Sequence, residues 1–96
     1  MASPAAPPAG PAGGLHVVVI SPEQTVFDGE ADAVVAPAWD GEIGILRGHA
    51  PLMALLGAGE MRITRGAVVE RFRIDGGFLQ VVDNVVTVLS EKAENA

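Results

Sequence analysis

The 96-residue sequence contains no cysteine, no tyrosine, one tryptophan and three phenylalanines. Without cysteine, the chain can form no disulfide, no thiolate nucleophile and no zinc–thiolate site. Because aromatic rings are so few, Val, Ile, Leu and Ala must fill the core. Hydrophobic residues make up 49% of the sequence, which is enough for the core of one domain.

Positive charge is also scarce, with six Lys and Arg against twelve Asp and Glu and a net charge of −6. This balance argues against partners that need a basic surface, namely nucleic acids and anionic lipids. An acidic chain can still dock on a basic groove of a partner protein. There is no apolar run of the ~20 residues that a membrane helix needs. The N-terminus lacks a basic and then apolar secretory signal, so we expect a soluble, cytoplasmic chain.

Sustained helical periodicity is missing as well. Short β-branched segments alternate with clusters of Gly, Pro, Asp and Asn, as is typical of an antiparallel sandwich or barrel. Asp83–Asn84 is predicted to form a two-residue hairpin, and Asp28–Gly29 a turn or bulge. We predict a disordered Pro/Ala/Gly tail over 1–14, a β-sandwich domain over 15–90 and a short C-terminal remnant over 91–96 that suits the start of a helix.

Two segments, EMRIT and VVERFRI, alternate between apolar and polar residues. Since successive side chains of a strand point to opposite faces, the apolar members should face the core. The residues predicted to point inward are Met61, Ile63, Phe72 and Ile74.

The most polar and most interrupted stretch is DGEIGILRGHAPL, residues 40–52. It contains three glycines but matches neither G-x-G-x-x-G nor G-x-x-x-x-G-K-[ST], and no predicted helix follows it to bind phosphate. Two interpretations remain open: an ordinary solvated loop, or a polar surface that a rigid sheet presents to a partner.

The sequence offers little support for catalysis. No nucleophile elbow surrounds any serine, so a Ser-His-Asp triad is disfavoured, although a hydrolase using His49 stays open as a third hypothesis. The two histidines, His16 and His49, have no clustered acids and make a poor metal site. We expect backbone or solvent to satisfy His16, and we expect no metal and no cofactor.

A carrier role is the main alternative from another functional class. GEMRI, residues 59–63, faintly resembles the Glu-x-Met-Lys hairpin on which biotinyl and lipoyl carrier domains bear their prosthetic group. Here Arg62 occupies the lysine position, and a guanidinium cannot be acylated in that way. The sole lysine, Lys92, lies in no predicted hairpin. A free-standing β-sandwich that binds a small ligand or prosthetic group remains the alternative.

Five motifs in collinear order resemble the epsilon subunit family of bacterial F-type ATP synthases, whose mitochondrial counterpart is called delta. They are SPEQTVFDGEA (21–31), DGEIGILRGHAPL (40–52), GEMRI (59–63), IDGGF (74–78) and NVVTVLSEKAE (84–94). The resemblance implies an antiparallel β-sandwich of about ten strands followed in the family by a C-terminal helical hairpin. That hairpin, with its inhibitory role and ATP site, is absent here, so we expect a short form.

The resemblance also implies a non-catalytic rotor subunit of the central stalk. It would link the gamma subunit to the polar loops of the c-ring, touch the F1 alpha/beta complex indirectly, and lie peripherally on the cytoplasmic face of the bacterial inner membrane. The implied contact residues match the family motifs, with Glu42 near the c-ring, His49 near gamma, and Arg47 in place of the usual proline. The full set is Gly41, Glu42, Gly44, Arg47, His49 and Pro51. Gly76, Gly77 and Phe78 are expected to be structural, as turn glycines and a core ring.

Overall fold

The computed structural model describes residues 14–96, which form ten β-strands and no helix. The strands are β1 Leu15–Ile20, β2 Thr25–Ala31, β3 Ala33–Ala38, β4 Gly41–Leu46, β5 Leu52–Leu55, β6 Ala58–Arg65, β7 Val68–Asp75, β8 Phe78–Val82, β9 Val85–Leu89 and β10 Lys92–Asn95. Nothing in this part of the chain is therefore a helix that could cross a bilayer. Apart from Gly14, the predicted tail over 1–14 lies outside the described residues.

The strands form two five-stranded sheets. The first has the order β2-β1-β9-β8-β5 and the second the order β10-β7-β6-β3-β4. Neighbouring strands are antiparallel except β1 and β9, which pair in parallel from His16–Val85 to Ile20–Leu89. The predicted all-β sandwich of about ten strands is confirmed. In the first sheet, the parallel pair joins strands β2 and β1 to strands β9, β8 and β5.

The core lies between the inner faces of the two sheets and consists mainly of aliphatic side chains, as the composition requires. The four residues predicted to point inward, Met61, Ile63, Phe72 and Ile74, are all buried. Phe72 is the largest buried side chain, and its ring meets the edge of Phe27 with 5.8 Å between ring centroids. Edge-to-face packing of this kind adds to the stabilisation from buried area.

The hairpin between β8 and β9 is the best local prediction from sequence. Val82 pairs with Val85, and the two residues between them have positive φ, 49° at Asp83 and 65° at Asn84. Two successive positive φ values define the type I′ turn, whose twist matches that of the flanking strands. The predicted hairpin is therefore confirmed.

Two local predictions are wrong. Asp28–Gly29 forms no turn, because β2 runs through both residues and the register irregularity falls between Val19 and Ile20 on β1. The end of the chain does not start a helix either. Lys92–Asn95 pairs with β7 and turns Ala93 into the core opposite Ile74, so ladder hydrogen bonds and burial override local helix propensity.

Candidate functional site

The polar stretch 40–52 runs along one side of the sandwich. Its first half is β4, an edge strand of the second sheet, and its end enters β5, an edge strand of the first sheet. The residues between them, 47–51, connect the two sheets. The sequence-predicted contact residues therefore lie on one edge of the molecule, where the chain passes from sheet to sheet.

A tight turn presents the start of this edge. Ala38 pairs with Gly41, so Trp39 and Asp40 are the two residues of the turn between β3 and β4. Gly41 has φ of 142°, which a side chain would disfavour. Trp39 is 73% exposed, and its backbone N–H donates to the carbonyl of Leu55 on β5. The backbone of Trp39 thus ties the β3–β4 turn to β5.

Glu42 follows this turn and points outward, with its side chain 62% exposed. Its carboxylate lies 3.8 Å from Arg62, which in turn lies 3.6 Å from Glu60, and Glu60 accepts a 3.1 Å hydrogen bond from Arg71. The chain of charges crosses the outer face of the second sheet. Exposed pairs of this length contribute at most about 1 kcal/mol each. Glu42 is therefore oriented by Arg62 but free to exchange that cation for one from a partner.

The turn after β4 positions the other predicted contact residues. The N–H of His49 donates to the carbonyl of Leu46 at 3.1 Å, and Gly48 between them has φ of 85°, as the third residue of a type II turn requires. The N–H of Gly48 donates to Asn84 Oδ1 at 2.7 Å. The His49 ring bonds through Nδ1 to the carbonyl of Ala50 at 2.8 Å. The β8–β9 hairpin thus braces this loop.

We expect Asn84→Ala to loosen the loop that carries His49. The substitution removes the hydrogen bond to Gly48 and also places alanine at a positive φ, for a combined cost of about 2–3 kcal/mol. Asn84→Gly is the matched control, because glycine tolerates the φ and loses only the hydrogen bond. Chemical denaturation should rank the stabilities wild type, Asn84→Gly, Asn84→Ala. Equal losses in the two variants would mean that the φ at residue 84 costs alanine nothing.

The predicted contact residues form a strip, not a cluster. Gly41, Glu42 and Gly44 lie on β4, while Arg47, His49 and Pro51 follow its far end. Six residues of extended strand span roughly 20 Å, so the two groups can reach different partners. Within residues 14–96, Arg47 makes no ion pair, and its side chain packs beside Gly14.

The outer face of the first sheet is a surface that the sequence reasoning missed. Strand register places Leu55, Phe78, Leu89 and Ile20 side by side in one row across four strands. Leu55 and its β5 neighbour Met53 are 65% and 63% exposed. The available signal was in β8 and β9, FLQVV and VVTVL, where apolar residues occupy both faces of each strand. Large exposed apolar areas of this kind mark protein contacts.

Phe78 belongs to this outer row, so the prediction of a core ring at this position is wrong. Its neighbours Leu79 and Val81 point into the core, and the alternation of the strand turns Phe78 outward, where it is half-buried. The two preceding glycines do fit the predicted structural role. Gly76 and Gly77 have φ of 77° and 100°, and a Cβ at Gly77 would overlap the carbonyl oxygen of Leu89.

His16 also differs from expectation, because its ring is held by acids. Nδ1 bonds to Glu30 and Nε2 to Asp28, each at 2.8 Å. The strand pairing of β1 with β2 brings these acids together although the sequence separates them from His16. Even so, no group of three or more His, Asp or Glu side chains from residue 14 onward is arranged to hold a metal ion.

The geometry gives no support to the hydrolase and carrier hypotheses. The His49 ring bonds to backbone, and the buried Ser90 hydroxyl lies within hydrogen-bond distance of the carbonyls of Gly76 and Lys92, to one of which it can donate. No described serine bonds to a histidine. A carrier lysine lies in a hairpin turn, whereas Lys92 begins β10 and pairs with Asp75.

Comparison with known proteins points to one family. A family model described as the β-sandwich domain of the ATP synthase delta/epsilon chain matches residues 14–96. The ATP synthase epsilon chain of Rhodopirellula baltica is 47% identical over 79 residues, which cover 82% of this chain and 62% of that protein. The epsilon chain of Leptospira borgpetersenii is 44% identical over 77 residues, 80% of this chain and 61% of that protein. The chain thus spans less than two thirds of the length of these relatives.

Solved structures share the fold at lower sequence identity. A chain in the cryo-EM structure of the Euglena gracilis mitochondrial ATP synthase, OSCP/F1/c-ring, aligns with a TM-score of 0.81 at 23% identity, covering 86% of this chain and 54% of that chain. A chain in the Tetrahymena thermophila mitochondrial ATP synthase, central stalk/c-ring, aligns with a TM-score of 0.71 at 19% identity, covering 85% and 66%.

Proposed function

The chain belongs to the family of ATP synthase delta/epsilon chain β-sandwich domains, and from that membership we propose that it is a rotor subunit in the central stalk of an F1Fo ATP synthase. In this role it links the gamma subunit to the c-ring and couples proton flow to ATP synthesis. The match over residues 14–96, with epsilon chains of 44% to 47% identity, is the observation on which the proposal rests.

We assign the two ends of the contact strip to two partners. Glu42, with Gly41 and Gly44, contacts the polar loops of the c-ring, and Arg47, His49 and Pro51 contact gamma. The exposed charge of Glu42 supports the first assignment, because Arg62 holds it only loosely. The apolar outer face of the first sheet supports the second, since it continues from β5 across β8 and β9. The F1 alpha/beta complex is touched only indirectly.

The fold suits a part that transmits torque. Side chains from both sheets fill the core between them, and a close-packed interior of this kind resists deformation. The charge pattern suits docking on basic polar surfaces, which favours correct encounter more than raw affinity. We place the chain peripherally on the cytoplasmic face of the bacterial inner membrane, held there by its complex, and assign it no chemistry of its own.

Glu42→Lys tests the c-ring assignment. We expect this variant to lose co-purification with the c-ring while the isolated domain keeps its stability to within about 1 kcal/mol, because the lost pair with Arg62 is exposed. Glu94→Lys is the matched control, since Glu94 lies on β10 at the opposite edge of the same sheet. It makes the same charge change and should leave assembly intact.

Thermal melts measure the stability of the isolated domain, and pull-down from membranes measures its assembly with the c-ring. If Glu42→Lys melts the domain, Glu42 is structural and not a contact residue. If Glu94→Lys disrupts assembly equally, the loss reflects net charge and not the position of Glu42.

A further inference from the structure

The His16 cluster lies on the outer face of the first sheet, at the edge where β2 pairs with β1. Leu15, Val17 and Val19 point into the core, which turns His16 outward. Glu30 is its direct cross-strand partner, and Asp28 lies diagonally across, opposite Val18. Among residues 14–96, β2 is an edge strand and pairs in a ladder with β1 alone. The imidazole therefore bridges two side chains of an edge strand, which is held in the sheet from one side.

The two hydrogen bonds define the protonation state of the ring. An ionised carboxylate only accepts hydrogen bonds, so each of the two ring nitrogens must carry a proton to bond at 2.8 Å. A neutral imidazole has one N–H and can satisfy one carboxylate, which leaves the other facing a lone pair. The two distances fit the imidazolium ion, in which both ring nitrogens can donate.

The electrostatic surroundings agree with this assignment. The pKa of His16 is raised above its ordinary value of 6.5, chiefly by the hydrogen bond to Glu30; partial burial opposes the rise, and the hydrogen bond to Asp28 and the charges of both acids add to it. On the other side, β9 places Val85 opposite His16, followed by Thr87, and neither residue is ionisable. Asp83 on the nearby hairpin is not among the groups that shift the pKa.

We propose that His16 is a proton-operated clamp that fastens edge strand β2 to β1. With the proton bound, one ring ties two positions of β2 to the sheet. When the proton leaves, one of these ties is lost, and the two carboxylates, no longer neutralised, repel each other along the same strand face. β2 then opens more often while the core strands stay paired, because local opening is drawn from the least secured elements.

The direction of the pH dependence follows from the raised pKa. A group that binds its proton more tightly in the folded state stabilises that state fully below the unfolded pKa, 6.5 here. The stabilisation is lost as the pH rises through the higher, folded pKa. The clamp is therefore closed on the acidic side and released as the pH rises above the folded pKa of His16.

Two NMR measurements on the isolated domain test the clamp. Ring ¹⁵N shifts should show both His16 nitrogens protonated below pH 6.5, with a titration midpoint above 6.5. Amide hydrogen exchange, corrected for the intrinsic effect of pH, should show that opening of β2 rises with pH. The rise should be about tenfold for each unit by which the folded pKa exceeds the unfolded one.

Variants separate the clamp from a general effect of pH. In His16→Gln, β2 should open equally often at all pH values over which wild-type His16 titrates. The frequency of opening should equal that of the wild type with His16 deprotonated. His49→Gln, which removes the other histidine, should keep the wild-type pH dependence. A titration midpoint at or below 6.5, or a His16→Gln variant whose β2 exchange still responds to pH, would overturn the proposal.

Discussion

Gly77→Ala is expected to destabilise the isolated domain by roughly 3–5 kcal/mol, the sum of backbone strain and steric overlap. Gly77 has φ of 100°, and a Cβ there would overlap the Leu89 carbonyl oxygen and lie 2.7 Å from Ser90 Cα. These are backbone atoms. Leu89 is fixed by its pairing with Phe78 and Ile20, so the neighbouring chain cannot yield without disrupting β9.

The adjacent glycine provides the control for this result. Gly76 also has a positive φ, 77°, but a Cβ there would meet no atom within 4 Å. Gly76→Ala should therefore cost only the strain of a left-handed residue, about 1–2 kcal/mol. Urea denaturation of both variants measures the difference. Equal losses would show that the backbone at Leu89 moves aside and that the close approach is unimportant.

Phe72→Ala is expected to cost about 3–5 kcal/mol, because it empties the largest side-chain volume in the core. The loss also removes the edge-to-face contact with Phe27. Since native domains are stable by only about 5–15 kcal/mol, this loss is a large share of the free energy of unfolding.

Phe78→Ala is the matched control, with the same side-chain change on the outer face of the first sheet. Its half-buried ring should cost less than about 2 kcal/mol. The variant should instead weaken binding to gamma if that face is the docking surface. Calorimetry compares the loss of unfolding free energy in the two variants. A loss for Phe78→Ala as large as that for Phe72→Ala would mean that the Phe78 ring is part of the core, as the sequence predicts.

Phe72 and Phe78 illustrate what the sequence can and cannot predict about the fold. Phe72 lies in a segment that alternates with arginines, so its inward direction follows from the pattern alone. Around Phe78 every neighbour but Gln80 is apolar, and the alternation carries no information about which face is buried. The same ambiguity hid the apolar outer face, because an outward row of apolar residues resembles core until strand register is known.

Long-range pairing accounts for the other errors. Asp28–Gly29 has the composition of a turn, but pairing with β1 extends the strand through it, and His16 then satisfies the Asp28 carboxylate. The C-terminal residues favour a helix locally and become a strand because β7 offers a free edge. The Asp83–Asn84 hairpin, by contrast, depends on the backbone preferences of two residues, which local sequence reveals.

In the candidate site too, some features follow from the sequence and others depend on contacts between distant segments. The family motifs alone predict Glu42 and His49 as contact residues. The hydrogen bond from the Gly48 N–H to Asn84 and the backbone hydrogen bond from Trp39 to Leu55 join distant segments of the chain, and no local pattern indicates them.

The rotor assignment is tested most directly by cysteine cross-linking in membranes, since the chain has no cysteine of its own. Glu42→Cys and His49→Cys should form disulfides with cysteines placed on the c-ring loops and on gamma, respectively. Because each cross-link joins two parts of the rotor, it should remain intact while the enzyme turns over ATP. Glu94→Cys, at the opposite edge of the second sheet, should form neither. Absence of both cross-links, with the chain recovered free of the membrane fraction, would contradict a place in the central stalk.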